Sequence, residues 1–203
     1  GFAEGVDAPF ISDDDAAAMD LAVTHLVAMG HRRIGLALGP RRFVPVVRKR
    51  AAFIDAMTRQ TGMSAEDAAS LVSHSLFAVE GAQAAAHHLL GREVTAIVCG
   101  SDLMALGAIR TIRQRGLWVP EDVPVVGYDD SRLIAFTDPP LTTVRQAVTA
   151  MGSAAAQALL GEINGTQTLR LVPTAALLRG DTTPTRTFEL GTAVPSNFRF
   201  SPD

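Results

Sequence analysis

The stretch Thr95–Asp130, "TAIVCGSDLMALGAIRTIRQRGLWVPEDVPVVGYDD", decides the fold because it reads as strand, helix, strand. Its two ends are short apolar runs, and the middle has helical periodicity with Ser101 or Asp102 as the N-cap. Two such strands joined by a helix form a right-handed parallel crossover. Strands that are apolar throughout predict a parallel sheet with helices on both faces.

The same alternation extends toward the N-terminus. Helical patterns are predicted in "DAAAMDLAVTHLVAMG" (15–30), Arg48–Gln60 and "EGAQAAAHHLLG" (80–91). Short apolar runs between them, "RRIGLALG" (32–39) and the weaker "SLVSHSL" (70–76), predict strands. We therefore predict an α/β fold whose sheet is built from parallel strands.

The alternation of helical patterns and short apolar strands ends after Gln146. "TAMGSAAAQALLGEING" (149–165) predicts a further amphipathic helix, and "TLRLVPTAALLRGDTT" (168–183) predicts a last strand pair or one extended segment. The chain beyond residue 187 has no periodicity, and we expect a loose tail there.

Composition excludes several classes of protein. An apolar fraction of 47% in 203 residues is too high for a disordered chain, and a net charge of −3 leaves no electrostatic footprint for nucleic acid. The sequence has neither an apolar run of membrane-spanning length nor a signal-peptide pattern at its start. Because Cys99 is the only cysteine, we expect a reducing compartment, the cytoplasm.

Polar residues follow the predicted strands, and these positions are the candidate site. In an open parallel sheet, ligands bind beyond the carboxyl ends of the strands. Those ends are Gly39–Arg42, Leu76–Phe77, Gly100–Asp102 and Tyr128–Asp130. Carboxylates, arginines, a hydroxyl and an aromatic residue at one edge suit hydrogen bonding to a small polar molecule.

The adjacent acids Asp129 and Asp130 admit several interpretations: a catalytic pair, a metal site, a ligand contact or a solvated turn. Adjacent side chains point apart, which disfavours a shared-proton pair, and we prefer one acid facing a ligand and the other in a turn or helix cap. His87 and His88 lack the i, i+4 spacing of metal ligands. No nucleotide-binding or catalytic motif is present, so we predict no metal, no cofactor and no enzymatic activity.

Four stretches together resemble the LacI-type bacterial transcription regulators: "HLVAMGHRRIGLALGP" (25–40), the run Thr95–Gln146, "MGSAAAQALLGEING" (151–165) and "LVPTAALLRGDTT" (171–183). The resemblance covers about residues 10 to 183. It implies a lobe of the periplasmic-binding-protein-like (type I) fold, and a cytoplasmic homodimer that binds a small polar effector such as a sugar. Operator DNA would be bound through an N-terminal helix-turn-helix.

The resemblance also implies a division of the chain, because the helix-turn-helix, the hinge and most of one lobe would be missing. The resemblance therefore implies a truncated or proteolysed piece of a regulator, and a naturally shortened regulator is the alternative. The expected parts are the end of a missing N-terminal lobe or linker (1–12), the C-terminal lobe (13–146), a helix normally belonging to the N-terminal lobe (147–165), a closing strand segment (166–187) and a loose tail (188–203).

Positions that match the family's motifs supply the candidate effector-binding residues. Asp129 matches a carboxylate that hydrogen-bonds effector hydroxyls, and Lys49 stands where the family usually has an effector-binding arginine. Lysine keeps the charge but loses the bidentate fork, and Arg48 or Arg50 would substitute only if the helix shifted. The complete predicted set is Asp129, Ser101, Lys49, Arg48, Phe77, Leu76 and Gln146.

The prediction is therefore a non-enzymatic, effector-sensing part of a regulator. A periplasmic-type sugar- or solute-binding protein of a transport system is the alternative, and a hydrolase on the same sheet is a third reading that lacks a motif. The helix near Met151–Ile163 would expose apolar surface without its lobe and is expected to drive association with another copy.

Overall fold

Six strands form one sheet in a computed structural model that describes residues 11–164, 176–178 and 180–183. The sheet order is β2-β1-β3-β4-β5-β6, in which β1 to β5 are parallel and β6 runs antiparallel to β5. The strands are β1 Ile34–Leu38, β2 Val72–His74, β3 Ala96–Cys99, β4 Val125–Asp129, β5 Thr142–Arg145 and β6 Ala176–Leu178.

Helices cover both faces of this sheet, which confirms the predicted fold class. One apolar core lies between the sheet and the first two helices, around Met19, Leu26 and Phe53; the other lies beneath the fourth and fifth, around Leu89 and Ile112. The helices are α1 Asp15–Ala28, α2 Val44–Thr61, α3 Ala65–Ser70, α4 Val79–Leu90, α5 Asp102–Gln114 and α6 Val148–Ile163, with a 3-10 helix at Arg132–Phe136.

The last helix, α6, is packed differently from the others. Ala154 is its one buried residue, whereas Val148, Leu159, Leu160 and Ile163 are each more than half exposed. The apolar exposure expected for the Met151–Ile163 segment is therefore present. In the described part of the chain, no helix combines the length and apolar character that a membrane crossing requires.

The sequence-based prediction did not contain α3, β5 or the 3-10 helix at Arg132–Phe136. The helix α3 was not expected, because six residues are too few to show a period; the hydroxyl of Ser64 caps it by accepting from the backbone N–H of Asp67 at 3.0 Å. The strand β5 was also missed, because its two threonines suggested a loop. Thr142 and Thr143 are fully buried, and their hydroxyls are hydrogen-bonded inside the protein.

The C-terminal segment returns to the sheet at residues 180–183. The hydroxyl of Thr182 accepts from the backbone N–H of Thr142 at 2.8 Å and donates to the carbonyl of Val125 at 2.7 Å. Thr183 contacts His25 of α1, with 2.9 Å between the hydroxyl oxygen and Nε2. This segment therefore joins β4, β5 and α1 near the amino ends of the strands; the predicted tail at 188–203 lies outside the described residues.

Candidate functional site

The carboxyl ends of the five parallel strands meet along one edge of the sheet, here called the rim. Gly39 follows β1, Phe77 lies in the loop after β2, and Ser101 lies just after β3. Asp129 is the last residue of β4, and Gln146 follows β5. Strands that run in the same direction must end on the same side, so the four predicted loops share this edge.

The acid Asp129 is held at the rim by two donors. The amide of Gln146 donates to its Oδ1 at 2.8 Å, and the backbone N–H of Asp102 donates to its carboxylate. Burial raises the pKa of Asp129 to about 7. The negative charge of Asp102 adds to the rise, and the positive charge of Lys49 opposes it. A carboxyl group with this pKa changes its charge near neutral pH.

The neighbouring acid Asp130 faces a different partner, as the sequence-based preference for two separate roles anticipates. It accepts from Arg145 Nε at 2.5 Å. Both acids have positive φ angles, 116° for Asp129 and 57° for Asp130, and this turn directs their side chains apart. The two carboxyl groups therefore do not form a shared-proton pair.

Lys49 lies in the interior, in a pair with an acid that sequence reasoning did not select. Its ammonium group is 2.6 Å from Asp15 Oδ1 and 4.0 Å from the centre of the Tyr128 ring. Both partners of the ion pair are buried. The hydroxyl of Tyr128 donates to Asp13 Oδ2 at 3.4 Å, and burial raises the pKa of Asp13. The acidic run before α1, "ISDDD" (11–15), was the available signal for Asp13 and Asp15.

The side chain of Ser101 is already hydrogen-bonded within its own helix. Its hydroxyl accepts from the backbone N–H of Met104 at 3.2 Å, which makes it the N-cap of α5, one of the two caps predicted. The next residue, Asp102, is buried and accepts from Thr143 Oγ1 at 2.5 Å and from the Ser131 N–H at 2.7 Å. Asp102 thus joins α5 to β5 and to the loop after β4, and burial raises its pKa.

A cavity of about 240 Å³ opens beside Lys49. Arg48, which donates to Ser12 Oγ at 3.1 Å, borders it. The cavity brings residues from the N-terminal segment together with residues from α2 and from the end of β5. Its polar lining consists of Ser12, Asp13, Asp15, Arg48, Lys49 and Gln146, and its apolar lining of Ile11, Val44, Pro45 and Met151.

The aromatic residues stand farther along the rim. Leu76 and Phe77, in the loop after β2, are exposed, and the Phe77 ring contacts that of Phe43 with 6.0 Å between their centroids. The structure therefore brings Lys49, Arg48 and Gln146 to one cavity and connects Asp129 to it through Gln146. Leu76 and Phe77 occupy the β2 end of the same rim. Both donors and acceptors line the cavity. This mixture suits a ligand rich in hydroxyl groups, because a hydroxyl can donate and accept.

Comparison with known proteins identifies the domain family that this chain matches. Residues 23–183 match the periplasmic binding protein-like domain family. The HTH-type transcriptional regulator MalR of Streptomyces coelicolor is 65% identical over 167 residues, covering 82% of this chain and 48% of that protein. The chain spans about half the length of the curated relatives it matches.

Solved structures show the same architecture. A complex of the transcriptional regulator CelR with cellobiose superposes with a TM-score of 0.81 at 35% identity, covering 90% of this chain and 57% of that one. A lac repressor dimer bound to operator and the anti-inducer ONPF gives 0.78 at 29% identity, covering 86% and 60%. These similarities extend over most of the described sheet and its helices.

Proposed function

The chain belongs to the periplasmic binding protein-like domain family, in the form found in LacI-type transcription regulators, and from that premise we propose that it senses a neutral sugar. In the complete regulator, the sugar would bind at the rim, between this lobe and a second one. Binding would favour one arrangement of the lobes and so change the affinity for operator DNA.

The cluster formed by Asp13, Lys49, Asp129 and Gln146 is the observation that carries this proposal. Its carboxylates accept hydrogen bonds from hydroxyl groups, and the amide of Gln146 offers both a donor and an acceptor. The described cations beside the cavity already have protein partners: Lys49 is paired with Asp15, and Arg48 donates to Ser12. An anionic ligand would meet the carboxylates of this cluster, while Lys49, the cation of the cluster, is already neutralised by Asp15.

The seven predicted site residues enter the proposal with different roles. Asp129 and Gln146 are proposed to contact sugar hydroxyls directly, and Arg48 borders the cavity that Gln146 lines. Lys49 is proposed to hold the site together through Asp15, and Ser101 to position the N-terminus of α5. The exposed Leu76 and Phe77 are proposed to offer apolar surface to the ligand.

Regulation is better supported than the alternatives. The relatives and the structural neighbours described above carry the names of transcriptional regulators, which favours a DNA-binding sensor over a transport protein. A hydrolase would need a nucleophile with an oriented base; the hydroxyl of Ser101 instead caps a helix, and Cys99 is buried with a raised pKa. We propose a cytoplasmic, non-enzymatic homodimer that contacts DNA through a segment outside this chain.

Calorimetry on the complete regulator tests the proposal. Cellobiose serves as the neutral probe because the CelR neighbour binds it, and glucose 6-phosphate as the anionic probe. We expect the neutral sugar to bind more tightly, and we expect binding to change operator affinity in a gel-shift assay. Asp129→Asn should weaken sugar binding, while the matched control Glu121→Gln, before β4 at the opposite edge of the sheet, should not.

The isolated chain supplies a second test, because it would provide only one wall of the cleft. We expect weak or undetectable sugar binding and no specific DNA binding by the chain alone. Sub-micromolar binding of cellobiose to the isolated chain would contradict a cleft shared between two lobes. If the complete regulator bound neither neutral nor anionic sugars, the sugar-sensing function would be wrong.

A further inference from the structure

A buried carboxylate, that of Asp102, lies against the turn that carries Asp129 but outside the lining of the cavity beside Lys49. Asp102 is 1% exposed, and it accepts from Thr143 Oγ1 at 2.5 Å and from the backbone N–H of Ser131 at 2.7 Å. A carboxylate removed from water is costly unless its oxygens are hydrogen-bonded, and here each oxygen has a donor. The protein therefore maintains a buried acid next to the proposed site.

The turn after β4 has a backbone conformation that needs support from outside the turn. Asp129 and Asp130 have φ angles of 116° and 57°, which side chains other than glycine rarely adopt. Residues in such conformations persist only where the surrounding contacts outweigh the strain. Asp102 contacts both ends of this turn: its backbone N–H donates to the Asp129 carboxylate, and its own carboxylate accepts from the Ser131 N–H.

Two neighbouring strands are adapted to the Asp102 carboxylate. A Cβ at Gly127 of β4 would stand 2.6 Å from Asp102 Oδ1, so only glycine lets the carboxylate come this close to the strand. Thr143 of β5 is fully buried and donates its hydroxyl hydrogen to the same oxygen. The position of Asp102 is therefore fixed by β4 and β5 together.

We propose that Asp102 is a positioning residue of the sensor: without touching the effector, it holds the turn after β4 so that the Asp129 carboxylate faces the ligand at the rim. This inference rests on the proposed function, in which Asp129 accepts hydrogen bonds from sugar hydroxyls. Asp102 also acts on the charge of Asp129, because two acids this close disfavour each other's ionised form. Asp102 thus affects both the direction and the protonation of the carboxyl group that binds the ligand.

The charged groups that act on Asp129 come from three parts of the chain. Asp13 precedes α1, Lys49 lies in α2 and Asp102 begins α5. The two acids raise the pKa of Asp129 and Lys49 lowers it, while Asp130 acts on Asp102. Replacement of Asp102 by asparagine removes one of the two acids, so the pKa of Asp129 should fall and its carboxyl group should ionise at lower pH.

Calorimetry on the complete regulator, with cellobiose as the probe, tests the positioning role. Asp102→Ala removes both acceptor oxygens, and we expect about tenfold weaker binding at about pH 8.5, where Asp129 is mostly ionised. Asp102→Asn keeps the shape and one neutral acceptor, so its loss should be smaller, about threefold. Unchanged affinity in both variants would overturn the inference.

A matched control separates positioning from a general loss of stability. Thr182→Val also removes buried hydrogen bonds, but these join the C-terminal segment to the start of β4 and to β5, away from the rim. It should leave the affinity for cellobiose within about twofold of wild type. Equal losses of affinity in Thr182→Val and Asp102→Ala would mean that Asp102 only stabilises the fold, which would overturn its positioning role.

The pH dependence of binding gives a readout that a merely structural role would not move. A sugar hydroxyl that donates to Asp129 favours the ionised carboxylate, so the affinity of the wild type should rise as the pH passes about 7. In Asp102→Asn the midpoint of this rise should lie at lower pH. An unchanged midpoint would contradict the coupling between the two acids.

Hydrogen exchange of the complete regulator examines the turn without any ligand. The peptide that contains Ser131 should exchange about tenfold faster at that amide in Asp102→Ala, because the N–H loses its acceptor. Unchanged exchange would overturn the inference whether or not cellobiose binds. Absence of cellobiose binding by the wild type would instead count against the proposed function, and the exchange rate would still decide whether Asp102 holds the turn.

Discussion

The ammonium group of Lys49 forms a 2.6 Å ion pair with the carboxylate of Asp15, and both side chains are buried. Asp15 begins α1 and Lys49 lies in α2, so the pair ties these two helices together beside the cavity. The Lys49 ammonium also stands over the Tyr128 ring. Because its charge is already paired, we expect Lys49 to serve the architecture of the rim.

Breaking this pair from one side is expected to destabilise the chain strongly. Lys49→Met would leave the Asp15 carboxylate buried without a partner, at a cost of about 3 to 5 kcal/mol in the free energy of unfolding. The double variant D15N/K49M should cost clearly less than the sum of the two single changes. Urea denaturation measures the free energy of unfolding of Lys49→Met, Asp15→Asn and the double variant. If the costs of the two single changes simply add in the double variant, the two groups do not interact.

The exposed ion pairs of Arg59 with Asp55 and Asp20 provide the matched control. Charges in these pairs are screened by water, so Arg59→Met should change the urea midpoint very little. A large effect there would mean that loss of charge anywhere on α2 destabilises the chain, and the Lys49 result would then need another explanation.

The pKa of Asp129 predicts a pH-dependent effect on stability. Because this pKa is raised from 3.8 to about 7 on folding, the folded state keeps a proton that the unfolded state releases, and stability falls as pH rises from about 4 to about 7. Asp129→Asn removes this loss. We expect the variant to gain stability relative to wild type on the order of 2 kcal/mol between pH 4 and pH 8, after allowance for partial solvent screening.

Urea denaturation at several pH values between 4 and 8 measures that difference. A constant difference across the range would show that Asp129 titrates normally in the folded state. A wild type that gained stability relative to the variant as pH rose would reverse the predicted sign and indicate a stabilised carboxylate.

The hydroxyl of Thr182 is expected to contribute to the closure of the sheet. Thr182→Val keeps the shape of the side chain but leaves the Thr142 N–H and the Val125 carbonyl without this partner, so the free energy of unfolding should fall by about 1 to 3 kcal/mol. The same substitution at the exposed Thr58 of α2 should have little effect. Equal effects at the two positions would show that the loss at Thr182 does not come from these hydrogen bonds.

The apolar side chains exposed on α6 are expected to drive association of the isolated chain. Light scattering should show oligomers at high concentration, and the variant L160K/I163K should shift them to monomers because it places charge on that surface. Phe136→Lys changes another exposed apolar residue, remote in sequence from α6, and serves as the control. A monodisperse wild-type monomer, or dissociation by the control, would contradict association through α6.

Sequence patterns predicted the layered fold because the relevant signals are local. Apolar runs alternate with helical periods over Asp15–Asp130, and right-handed crossovers leave only a few arrangements for such a series. The rim then follows, since parallel strands all end on one side. Asp129 and Asp130 were placed at that edge for the same reason, because they directly follow a buried strand, and the family resemblance then selected Asp129.

The tertiary structure alone decided which rim groups remain available to a ligand. Lys49 is paired with Asp15, 34 residues away in the chain, and the two buried threonines of β5 find their hydroxyl partners in Asp102 and residues 180–183. Periodicity records only which face of an element is apolar. The partner of a buried charge or hydroxyl depends on which distant segment packs against it, because a polar group removed from water must be satisfied across space.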